Sequence, residues 1–263
     1  MNDILLKTAF ILYLASGIFF CAPLFFRSNI WDEIARLLLK TGFILHSVMV
    51  GVRWYEAGRP PFASMYEALI LFAWAVILVY LIFELAYRVR FLAIPVNILA
   101  LIFLSVALPS DSTIKALVPA LQSRWMSVHV ITYFVGYGAL SIAFVLSAIY
   151  LLSANQKRLD QLRLGTLDEI TYRLIIFGFP FLTIGMTTGS IWANSAWGSY
   201  WNWDPKETCS LITWLVYAVY LHARLLKGWK HKRAAYLSLL GFLVTLFTFV
   251  GVNFILPGLH SYS

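Results

Sequence analysis

Charge is scarce in this chain. Only 12% of its 263 residues are Asp, Glu, Lys or Arg, against roughly 25% in an ordinary soluble domain. The deficit excludes a water-soluble globule, a disordered chain and a coiled coil. Glycine (15) and proline (9) are too few for a low-complexity segment. Cysteine is almost missing. Cys21 and Cys209 stand far apart, and without a C-x-x-C there is no support for thiol redox chemistry or a zinc knuckle. They read as apolar residues within helices. The N-terminus lacks a basic stretch and a small-residue cleavage site. Its apolar run, to about Phe26, therefore reads as a first membrane span rather than a signal peptide.

What the chain has in abundance is apolar surface, 61% hydrophobic residues with a mean hydropathy of +0.79. A membrane-crossing helix needs about 20 apolar residues. Eight segments qualify, at 4–26, 34–53, 66–87, 92–109, 127–154, 172–191, 207–226 and 233–256. The fourth is short and carries Pro95 and Asn97. The fold class expected is all-α, a polytopic bundle. The linkers 110–126, 155–171 and 192–206 are too short to hold a soluble domain, so residues 1–263 form a single integral membrane domain on this reading.

The net charge of +8 reads as loop charge that sets topology, with the lipid bilayer as surroundings and no nucleic acid as partner. Placing the loops after spans 1, 3, 5 and 7 in the cytoplasm gathers 14 of the 20 basic residues there, the densest run being Lys227–Arg233. The positive-inside rule then puts both termini on the extracytoplasmic side.

Four of the ten tryptophans crowd into residues 192–203, within an expected external loop at 192–207. An interfacial aromatic belt is one reading. A belt distributes its rings over many helix ends, however, and this cluster concentrates them, which suits a large flat apolar ligand. Both readings stay open on composition. The loop ends in Asp204-Pro205-Lys206-Glu207. Asp204 fits an N-cap, Pro205 the first helical position, and Glu207 the third, from which it reaches back to the cap. Asp204 is accordingly structural rather than catalytic, and no catalytic side chain is singled out.

The topology sorts five histidines. His129, at the start of span 5, and His260, beyond span 8, fall on the same face as the tryptophan loop. Neutral imidazoles from opposite sides are natural axial ligands of haem iron, and a porphyrin would use the aromatic surface. His222, near the cytoplasmic end of span 7, is a candidate ligand of a second site because ionisable groups within spans tend to be functional. His46, inside span 2, has a weaker claim and could simply bond a neighbouring helix. His231 goes to solvent.

The segment Trp197-Gly-Ser-Tyr-Trp201-Asn-Trp203-Asp204-Pro-Lys-Glu207-Thr resembles the tryptophan-rich "WWD" signature of the cytochrome c assembly family. His129 in Ser127-Val-His129-Val-Ile-Thr-Tyr133, His260 in Gly258-Leu-His260-Ser-Tyr262, and Pro61-Phe-Ala-Ser-Met-Tyr66-Glu67-Ala-Leu strengthen the likeness. The whole chain is similar to the haem-handling CcsA/ResC-type subunit of the system II cytochrome c synthase. One departure is Tyr200, where relatives often carry Trp; it keeps an aromatic ring.

The resemblance implies haem transport and presentation within a holocytochrome c synthase. Haem b would be ligated by His129 and His260 beside Trp197, Trp201, Trp203 and Asp204. It also implies His222 as iron ligand of an inner site whose opposite ligand comes from a CcsB/ResB-type partner subunit, and apocytochrome c as acceptor. The membrane would be a bacterial cytoplasmic membrane or a thylakoid. Arg53, Arg59 and Arg124 are candidates for a haem propionate, the alternative being plain loop charge. Three rival readings are a haem exporter without a part in attachment, a non-catalytic scaffold for a secreted-protein complex whose tryptophans merely bind a partner, and a membrane b-type cytochrome. The last usually stacks its histidines on facing helices inside the bilayer, unlike this external pair.

Overall fold

A computed structural model of the chain describes residues 2–22, 30–156 and 161–255, and among them there are helices and no strand. In chain order the helices are α1 (Asn2–Cys21), α2 (Ile30–Ala57), α3 (Met65–Tyr87), α4 (Ala93–Ala107), α5 (Arg124–Gln156), α6 (Gln161–Trp197), α7 (Pro205–Leu226), α8 (Lys232–Leu246) and the short α9 (Val252–Ile255). A widened turn, Phe247–Gly251, joins the last two. Eight helices are long and apolar enough to cross a membrane, as the apolar runs require. The chain divides into two compact units, Met1–Leu117 and Val118–Ser263.

In the first unit, polar side chains tie the helices to one another. Ser16 Oγ donates to Ala35 O at 2.8 Å, and Asn97 Nδ2 donates to Tyr13 O at 2.7 Å. In a membrane such bonds hold helices that the hydrophobic effect alone would not. Asn97 is thereby accommodated in the fourth span. Pro95 is tolerated because it falls in the first turn of α4, just after a 3-10 turn at Arg90–Leu92. At the start of α3, Ser64 caps the helix by accepting from Glu67 N. Glu67 is fully buried, clamped by Arg53 at 2.9 Å and Arg59 at 2.8 Å. The two guanidiniums also donate to the carbonyls of Ser112 and Lys115, which ties the 110–117 segment to α2 and α3.

The second unit is built on the α5–α6 pair. Gly136 and Gly178 face each other so closely that a Cβ on either would stand 3.2–3.3 Å from the other's carbonyl oxygen. Small residues permit this backbone approach. With 37 residues, α6 is about 55 Å long at 1.5 Å per residue, well beyond the roughly 30 Å hydrocarbon layer. It starts before residue 172 and ends after residue 191, the limits expected from bilayer thickness. It runs on through Pro180 in its interior and ends only at Gly198, whose φ is +77°. Trp192–Trp197 is therefore helical, and the non-helical part of the expected 192–207 loop shrinks to 198–204.

At the opposite end of α6, Asp168 accepts from Arg224 of α7 at 2.7 Å and from the backbone N–H of His231 at 3.0 Å. This bond anchors the tight 227–231 turn. His231 is exposed, as expected, and its ring stacks on Tyr150.

Candidate functional site

His129 lies in the second turn of α5, half-buried against α6. Its Nδ1–H donates to Gly185 O at 2.7 Å. A neutral imidazole carries one N–H and one lone pair, so this bond fixes the tautomer with the lone pair on Nε2. The ring sits directly over Gly189. A Cβ there would overlap Nδ1 and Cε1. One helical turn below, a Cβ on Gly185 would meet the Tyr133 ring at 2.7 Å, and the Tyr133 and His129 rings stand edge to face at 4.9 Å. The Gly185-x-x-x-Gly189 face of α6 is thus the seat of two α5 rings.

Two tryptophans of α6 continue the arrangement. Trp192 is buried, lies 6.1 Å from the His129 ring, and donates its indole N–H to Ala120 O at 2.7 Å. Trp197 packs against it at 4.8 Å. Trp201 and Trp203 form a second, perpendicular pair at 5.7 Å. The rings differ sharply in exposure: Trp192 is 1% exposed, Tyr200 59% and Trp203 69%. Trp192 is a packed helix residue, while Trp197 and Trp201 are half-buried. The four tryptophans therefore meet as two edge-on pairs, Trp192–Trp197 and Trp201–Trp203.

The loop is held by its own acids. Asp204 Oδ1 accepts from Lys206 N at 2.9 Å. Glu207 Oε2 accepts from Asp204 N at 3.2 Å, completing the capping box, and also from Asn202 N at 2.8 Å. The local pattern anticipated the box and the structural role of Asp204. The bond from Asn202 was not legible, because no short motif encodes it.

His222 is exposed on α7, in line with Ile212, Leu215, Val219 and Leu226 along one face. It stands apart from the His129 seat, toward the helix end that leads into the 227–231 turn. His46 is buried in the first unit and pairs with Tyr13 across α1 and α2, Nδ1 to hydroxyl, at 3.4 Å. Arg53 and Arg59 are committed to Glu67 and backbone carbonyls, which leaves Arg124, exposed at the start of α5, as the remaining propionate candidate of the three. His260 lies outside the described residues.

The residues that sequence reasoning missed are Gly185 and Gly189. Their signal was available as a G-x-x-x-G spacing, the mark of close helix approach, but the spacing does not say which residue approaches.

The donor set fits haem as far as it is described. An imidazole held by a carbonyl at Nδ1, with its lone pair directed to Nε2, is the form that binds iron.

Known proteins resemble the chain over most of its length. The cytochrome C assembly protein family matches residues 62–260. A cytochrome c biogenesis protein CcsA of Chlamydomonas reinhardtii is 40% identical over 242 residues, covering 88% of this chain and 68% of that protein. The CcsA of Guillardia theta is 41% identical, with coverage of 82% and 81%. That of Prochlorococcus marinus is 35% identical, with coverage of 88% and 84%. A solved structure described as cytochrome c haem lyase CcmF superposes with a TM-score of 0.68 at 18% identity. It covers 94% of this chain, which spans 46% of the CcmF chain, and so shows a shared fold. The chain belongs to the cytochrome c assembly protein family.

Proposed function

We propose that this protein handles haem in cytochrome c maturation, as the membrane subunit that carries haem b and presents it to apocytochrome c. The observation that carries the reading is the His129 seat: an imidazole tautomer fixed by Gly185 O, its ring over Gly189, with Trp192 tilted beside it and Trp197 edge-on to Trp192. His260 is the second axial ligand on this reading. Trp197, Trp201, Trp203 and Asp204 line or support the surface that orients the macrocycle. Both termini, and the 198–204 loop with them, face the extracytoplasmic side, in line with the 14-to-6 division of basic residues.

Haem is the cargo here, and its iron and vinyl groups supply the reactive centres. The chain's own residues position it. His129 Nε2 holds the iron, and the Gly185 carbonyl makes that nitrogen a stronger donor. The acceptor's own histidine replaces one axial imidazole, and each of its two thiols adds its S–H across a vinyl double bond. His222 belongs to an inner holding site. Its exposed apolar face on α7 suits a helix of a CcsB/ResB-type partner, which supplies the opposite ligand.

The test is His129→Ala and His260→Ala in the complex with its partner subunit. Each should lose the six-coordinate low-spin spectrum of the outer haem and abolish cytochrome c maturation, and added imidazole should restore part of both. Normal spectra and maturation in the two variants would end the ligand assignment.

A further inference from the structure

Trp203 has a backbone conformation that its side chain disfavours. Its φ is +58°, in the left-handed region where a Cβ crowds the following carbonyl. Glycine or asparagine would sit there with less strain. The indole gains no burial in return, being 69% exposed, and it meets the Trp201 ring at a right angle. A residue strained in the backbone and uncovered at the side chain is not kept by packing. Such outliers persist when their surroundings over-determine them.

Those surroundings are identifiable. The peptide N–H groups on either side of Trp203, those of Asn202 and Asp204, both donate to one oxygen, Glu207 Oε2, at 2.8 and 3.2 Å. Thr208 Oγ1 donates to Trp203 O at 3.4 Å. Glu207 is itself buried and sits on the first turn of α7, so it is rigid. A capping box needs only the bond to Asp204 N. The additional bond to Asn202 N turns the cap into a bracket around Trp203.

We infer that Glu207 is a positioning residue: its carboxylate holds Trp203 in the left-handed conformation and so presents the indole face outward, as a stacking surface for a flat aromatic ligand. The identity of that ligand as haem rests on the proposed function; the bracket itself does not. Trp203 is the residue that touches the ligand, and Glu207 acts through it.

The experiment uses the full chain with its partner subunit in detergent. Four variants are compared: Glu207→Ala, Trp203→Gly, the two combined, and Glu207→Gln, whose amide oxygen can still accept both N–H groups. Trp203→Gly should raise the melting temperature by roughly 2–4 °C by relieving the strain. Glu207→Ala should lower it, and the loss should shrink by at least half when Trp203→Gly is also present, because there is then no strained residue to hold. Glu207→Ala and Trp203→Gly should each weaken retention of the outer haem about tenfold or more, while Glu207→Gln retains it. Strictly additive melting shifts would overturn the bracket and leave Glu207 as a helix cap only. Coupled shifts with undiminished haem retention in Trp203→Gly would instead overturn the ligand contact. In that case His129→Ala separates the two ideas, since its haem loss does not depend on Trp203.

Discussion

Replacing Gly189 with Ala tests the His129 seat without touching a ligand. The added Cβ would overlap Nδ1 and fall 2.5 Å from Cε1 of His129, distances that real carbons do not keep. The obstructed group is the end of a side chain, not backbone, so the ring can swing aside and α5 and α6 need not separate. In swinging it gives up the bond to Gly185 O, worth about 0.5–1.5 kcal/mol. Alanine in a helix interior recovers about 0.5–1 kcal/mol relative to glycine. The two terms nearly cancel, so the melting temperature should move by no more than a few degrees. Iron binding is affected differently. To ligate in its original position, the ring must be forced back against the new methyl, at an overpacking cost of about 1–3 kcal/mol. At roughly 1.4 kcal/mol per tenfold, the outer haem should bind about 5- to 150-fold more weakly.

The assay is a haem titration of the purified complex, followed by its absorption spectrum, with a thermal melt of the same sample. Gly51→Ala is the control, since a Cβ there meets nothing within 4 Å, and both readouts should stay near wild type. The expected signature is a near-normal melt with weakened low-spin haem that imidazole partly restores. A Gly189→Ala protein with wild-type affinity and spectrum would refute the reasoning, because His129 could then not be the ligand in the position described.

Two further outcomes follow from the fold. Glu67→Ala leaves Arg53 and Arg59 buried without their carboxylate. Removing one member of a buried charge cluster costs about 3–5 kcal/mol, which at roughly 2–4 °C per kcal/mol predicts a fall of about 6–20 °C in the melt; an unchanged melt would show that the carbonyls alone satisfy both guanidiniums. Cysteines introduced by Ser199→Cys and Lys230→Cys, with Cys21 and Cys209 replaced by Ser, should react with impermeant reagents from opposite sides of the membrane, and labelling of both from one side would overturn the topology.

The parts of this structure that sequence makes visible are those written locally. The spans appear as apolar runs because each helix must satisfy the bilayer by itself. The capping box at Asp204 appears because its donors and acceptors lie within four residues. The end of α6 was misplaced for a related reason: bilayer thickness bounds the hydrocarbon, not the helix, and nothing in Ala193–Trp197 stops a helix before Gly198. The boundary between the two units falls inside the 110–126 linker, one of the longest in the chain, yet linker length alone does not separate a boundary from an ordinary loop.

His129 shows why the rest is harder to read. Its type and its neighbours in sequence mark it as a candidate ligand, but its chemistry is set 56 residues away by Gly185 O. The α5–α6 contact explains how. Moving along α6 from Gly178 to Gly185 to Gly189, the facing residues on α5 run from Gly136 to Tyr133 to His129. At the first position both sides are glycine and the backbones themselves meet. At the next two, glycine on α6 is answered by a ring on α5. One ridge of small residues therefore first draws the helices together and then admits the two rings between them. On the same α5–α6 contact the His129 imidazole reaches Gly185 O at 2.7 Å. A glycine in a sequence says only that room exists; the residue on the opposite helix decides whether the room serves packing or holds a ligand, and that partner is supplied by the fold.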